Sequence, residues 1–73
     1  MTIYQCLLNI DELGYLKPLM NKGVISSHYV QWMEIYAYHL QHPSMSYFEL
    51  SLTLNLSKST IQRALSTMNQ PLT

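Results

Sequence analysis

SYFELSLTLNLSKSTIQRALSTM, residues Ser46 to Met68, reads as a short helix, a three-residue turn and a second helix. Ser46 and Glu49 have the S-x-x-E spacing of a capping box. The serine hydroxyl can accept from the Glu49 backbone N–H, and the carboxylate can reach back to the N–H of Ser46. Pro43 just upstream keeps the preceding helix from running on. Tyr47, Leu50, Ser51 and Leu54 then fall at i, i+3, i+4 and i+7, which is one helical face. Asn55 follows, and Asn is among the few non-glycine residues that tolerate the left-handed backbone of a sharp helix exit.

Ser57 is the next N-cap, with Thr60 three residues on. Ile61, Leu65 and Met68 recur at i, i+4 and i+7 with Ala64 beside them, so these form the inward face. Lys58, Ser59, Gln62, Arg63, Ser66 and Asn69 are left to point outward. All six can donate hydrogen bonds and none is acidic. Arg pairs bidentately with guanine and Gln with adenine, while Ser, Thr and Lys suit phosphates or base edges. The first turn of this helix also offers backbone N–H groups and a positive dipole end to a phosphate.

This run resembles the helix-turn-helix of phage repressors, bacterial regulators and replication-initiator domains, whose signature is roughly S-x-x-x-L-A-x-x-L-x-[hydrophobic]-S-x-x-T-[VI]-x-R-A-[LI]. Ser46, Leu50, Leu54, Leu56, Ser57, Thr60, Ile61, Arg63, Ala64 and Leu65 match it. The chain departs from it at two places: Ser51 stands where the family favours Ala, and Asn55 where Gly is commonest. The resemblance spans about a third of the chain. It implies that the second helix lies in the major groove of duplex DNA. Gln62 and Arg63 would read base edges, Ser57, Lys58, Ser59 and Thr60 would hold phosphates, and Ser66 would lie on the same surface.

Seventy-three residues make one domain with a modest core. Hydrophobic residues are 48% of the chain and charged ones only 11%, which points to a self-associating surface. Net charge is zero, although a nucleic-acid binder usually carries a basic surplus. From Ser57 onward the only charges are Lys58 and Arg63. So few cations give a salt slope of roughly −2 to −3 per protomer, and tight binding would need a dimer or a larger partner. No apolar run approaches a membrane span, and without a basic segment followed by a cleavable apolar one at the N-terminus no secretory signal is expected. The single cysteine, Cys6, fits a reducing cytoplasm.

Upstream, Ile3 to Ile10 is apolar and begins a helix or lies as a short arm. Asp11 is expected as an N-cap, with Leu13, Leu16, Leu19 and Met20 as an apolar stripe after it. Pro18 suits the first turn of a helix starting near Lys17. Gly23 would end that segment, with Val24 and Ile25 packing behind it. Ser26 or Ser27 opens the longest helix, Ser27 to Gln41, with Gln31, Glu34, Tyr38 and Gln41 as its polar strip. The rest of its surface is apolar or aromatic, as in a buried central helix. The expected fold is all-α: one domain over residues 1–73, with an N-terminal helical segment (1–25), a central helix (26–42) and the helix-turn-helix (46–69). No strand-like runs follow, so no wing is expected.

Other chemistry finds little footing. His39 and His42 sit at i, i+3, but no third ligand stands at a recognised spacing, and no metal or other cofactor is expected. Nothing surrounds Cys6 to make it a nucleophile, no phosphate-binding Gly-rich loop occurs, and no enzyme is expected. Tyr29, Trp32 and Tyr36 lie on apolar faces and read as core, not as base-stacking platforms. Phe48 and Leu52 lie opposite Leu50 and Leu54, where this motif normally shows polar residues. Either Ile3 to Ile10 covers them, or they are a dimer or partner interface. The resemblance thus implies a small DNA-binding regulator of a phage or mobile element, acting as a homodimer. The alternative is a protein-interaction module that inhibits or adapts transcription or replication machinery.

Overall fold

The computed structural model describes residues 1–72. Among them the chain is all-helical: α1 (Ile3–Glu12), α2 (Leu16–Asn21), α3 (Ser27–Gln41), α4 (Tyr47–Leu54) and α5 (Lys58–Met68). The N-terminal segment is therefore two helices, each with its own start and stop.

Thr2, and not Asp11, caps the first of them. Its hydroxyl oxygen accepts from the Gln5 N–H at 3.2 Å, and the Gln5 side-chain oxygen Oε1 accepts from the Thr2 N–H at 2.9 Å. That T-x-x-Q box outcompetes Asp11, which lies exposed inside α1. Gly14 then turns the chain at φ 82°, with its N–H bonded to the Asp11 carbonyl and the Tyr15 N–H to that of Ile10. Glycine enters this left-handed region without a Cβ penalty. The turn also explains why Leu13 is not part of a buried stripe: it belongs to the end of α1 and is 71% exposed. Pro18 occupies the first turn of α2, where its missing N–H leaves no gap in the helix. Gly23, at φ 77°, makes the second left-handed exit. Ile25 packs behind it on the core, but Val24 points to solvent.

Ser26 caps α3 by accepting from the His28 N–H at 3.2 Å. Two apolar clusters meet across α3. Ile35, Leu50, Ile61, Ala64 and Leu65 form one; Leu7, Leu16, Met33 and Met68 form the other. Trp32 and Tyr36 pack against both and join them. Leu50, Ile61 and Met68 are fully buried, and removing such a side chain from a close-packed core costs about 2–5 kcal/mol. The aromatic residues of α3 are half-buried and pack against the core, with edges left at the surface: Tyr29 meets Trp32 edge-on at 5.5 Å, and Tyr36 packs on Tyr4 at 4.6 Å. One long-range tie has no counterpart in the sequence pattern. Thr2 and Pro71 form an antiparallel bridge, flanked by the Ile3 N–H to Gln70 carbonyl bond at 2.9 Å and the Leu72 N–H to Met1 carbonyl bond at 3.0 Å.

Candidate nucleic-acid interface

The caps and turn of Ser46–Met68 fix how α5 is presented. Ser46 accepts from the Glu49 N–H at 3.1 Å. The Glu49 carboxylate turns back to the Ser46 hydroxyl, at 3.2 Å, and not to its backbone N–H. Asn55 adopts φ 56°, ψ 45°, the left-handed exit. Both its N–H and that of Leu56 bond the Ser51 carbonyl, closing the last turn of α4. Leu56 is half-buried against the core, so the turn is anchored by an apolar side chain. Ser57 accepts from the Thr60 N–H at 3.2 Å, and α5 begins at Lys58. Ser51 fits where a smaller residue is usual because its hydroxyl is satisfied within its own helix, donating to the Phe48 carbonyl at 2.7 Å.

The two faces of α5 separate cleanly. Ile61, Ala64, Leu65 and Met68 are buried, while Lys58, Ser59, Gln62, Arg63, Ser66 and Asn69 are exposed. Ser57 is exposed and Thr60 half-buried. Their hydroxyls lie 2.8 Å apart and serve the cap, so what they offer a ligand is chiefly the orientation of the first turn. No acidic residue follows Glu49 in the chain.

A helical wheel puts Ser59 and Ser66 on the crest of α5, with Arg63 on one flank and Gln62 on the other. Each flank borders a cleft. On one side, Ser59, Thr60 and Arg63 face His28, Gln31 and Trp32 of α3 across about 410 Å³. On the other, Gln62, Ser66 and Asn69 face Tyr36, His39 and Tyr47 across about 490 Å³. Sequence pattern pointed to the α5 residues but not to the α3 side chains beside them. Their proximity comes from how α5 crosses α3, which no local signal encodes.

His39 and His42 do not act together. His42 stacks on Tyr38 at 4.2 Å, with Nδ1 at 3.1 Å from the Tyr38 carbonyl, whereas Nδ1 of His39 is buried without a hydrogen-bond partner. Among the described residues no three His, Cys, Asp or Glu side chains gather as a metal site. None of the described helices is long and apolar enough to cross a membrane.

Phe48 and Leu52 are 61% and 67% exposed. The N-terminal segment does not cover them. Its apolar residues Ile3, Tyr4, Leu7 and Ile10 go to the Leu16–Met33–Met68 cluster, and α1 packs against α2, α3 and α5. Comparison with family models, curated proteins and solved structures gives no match for this chain.

Proposed function

We propose that the chain is a wingless helix-turn-helix DNA-binding protein that inserts α5 into the major groove. The observation that carries this reading is the outer face of α5: five exposed hydrogen-bond donors, with a sixth at its C-cap, no acid, on a helix that stands between two clefts. An α-helix of ~10–12 Å diameter fits a major groove ~12 Å wide, and donors on its crest and flanks meet base edges and phosphates. Gln62 and Arg63 read bases. Lys58, Ser59 and the first turn of α5, shaped by Ser57 and Thr60, hold phosphates, and Ser66 extends the surface. The protein acts as a regulator in the cytoplasm of a cell hosting a phage or other mobile element.

Two cations near the groove are few for tight binding, so the duplex is held by two copies. Phe48 and Leu52 supply the apolar surface for the second copy, with half-sites ~34 Å apart. The same two residues favour a second reading, in which this face docks a different protein and the bundle is an adaptor or inhibitor of transcription or replication machinery.

Base selection by Arg63→Ala and Gln62→Ala tests the first reading. Arg63→Ala should cost about 1–3 kcal/mol and relax preference at one base pair. An equal loss on all sequences would remove Arg63 from the base-reading role.

A further inference from the structure

We propose that the cleft between α3 and the Arg63 flank of α5 holds a backbone phosphate of the bound duplex, making His28 and Gln31 part of the contact surface. This rests on the DNA reading above. A helix seated in a major groove has a strand backbone running along each flank, so the clefts beside α5 lie where phosphates pass. The cleft on the Arg63 side, about 410 Å³, is chemically one-sided. His28, Gln31 and Trp32 from α3 and Ser59, Thr60 and Arg63 from α5 carry N–H or O–H donors, Leu56 of the turn is the one aliphatic member, and no carboxylate lines it. Arg63, whose guanidinium reads a base, adds a fixed positive charge at the rim of the cleft, and the direct donors to the phosphate are the α3 side chains. An anion with several acceptor oxygens satisfies such a set, and a phosphodiester is one. The opposite cleft is also lined largely by hydrogen-bonding side chains, but it has no Lys or Arg to balance an anion's charge.

His28 is already positioned for this role. Its Nδ1 lies 3.3 Å from the Ser26 hydroxyl, and its ring stacks over Trp32 at 6.3 Å. The contact with Ser26 fixes the ring's orientation and leaves Nε2 on the side away from the cap. Gln31, one turn along α3, is exposed on the same side.

The test is a fluorescence-anisotropy titration of a labelled duplex with wild type, the His28→Ala/Gln31→Ala double variant and Gln62→Ala. Trp32, the chain's single tryptophan, is followed in parallel. Both substituted α3 side chains are exposed, so the melting temperature of the double variant should match wild type. The expected result is about tenfold weaker binding by the double variant on every duplex sequence, with a Trp32 emission change when duplex is added. Gln62→Ala should instead lose discrimination between sequences. Wild-type binding retained in full by the double variant overturns the proposal. So does a full Trp32 response to inorganic phosphate with none to duplex, which marks a site for small phosphates. Absence of salt-dependent duplex binding by wild type sinks the DNA reading itself, and this inference with it.

Discussion

The Tyr36 hydroxyl donates to Asn69 Oδ1 at 3.3 Å, linking the middle of α3 to the C-cap of α5 across 33 residues of sequence. The contact sets where the end of the candidate recognition helix lies on the central helix. Tyr36→Phe keeps the ring that packs on Tyr4 and removes only this bond. It should destabilise the fold by about 1 kcal/mol and lower Tm by about 4–8 °C in a circular-dichroism melt. An unchanged Tm would mean that Asn69 is held by other contacts.

Asn55 carries the sharp turn between α4 and α5 at φ 56°. Replacing it by Gly should leave stability within a few tenths of a kcal/mol or raise it slightly, because glycine takes this conformation freely. Asn55→Ala should cost about 1 kcal/mol, since it keeps the Cβ that this conformation disfavours and loses the short polar side chain that lets Asn tolerate it. Urea midpoints at constant m-value separate the two outcomes.

Ser57 distinguishes folding from binding at a single position. Ser57→Ala loses the acceptor for the Thr60 N–H and should destabilise by about 1 kcal/mol. Ser57→Asp keeps a good cap and favours the helix dipole, so its Tm should equal or exceed wild type. The added carboxylate nevertheless sits where a phosphate must approach, and duplex affinity should fall by about tenfold or more. Intact duplex binding by a stable Ser57→Asp variant would place the DNA away from the start of α5.

Local signals made much of this legible beforehand. The caps at Ser46 and Ser57, the Asn55 exit, the bounds of α3 and the inward face of α5 are all set by neighbouring residues, and the structure has them as the sequence indicates. At the N-terminus two local signals competed. Thr2 with Gln5 made the stronger box than Asp11, and Gly14 separates two helices where an apolar period carried across it suggested one. What lay beyond local reading is long-range: the bridge between Thr2 and Pro71, the clefts flanking α5, and the exposure of Phe48 and Leu52. Each depends on which helix packs on which, and α1 fits the Met33 and Met68 side of the core as well as any periodicity would allow it to fit α4.

Phe48 and Leu52 give the dimer proposal its own test. Leu52→Glu replaces an exposed apolar side chain, so the fold should survive with little change in Tm. Size-exclusion chromatography should show wild type as a dimer and Leu52→Glu as a monomer that binds duplex with a roughly halved salt slope. Two monomers of equal stability would exclude this face as the contact between copies.

The most direct test of DNA reading by α5 is wild-type affinity for a random-sequence duplex pool, measured by gel shift at 50 and 200 mM salt. Two protomers with roughly two to three phosphate contacts each predict a fall of about 10²- to 10³-fold or more across that interval, with a subset of sequences retained at the higher salt. No binding at 50 mM, or an affinity that barely responds to salt, would contradict it.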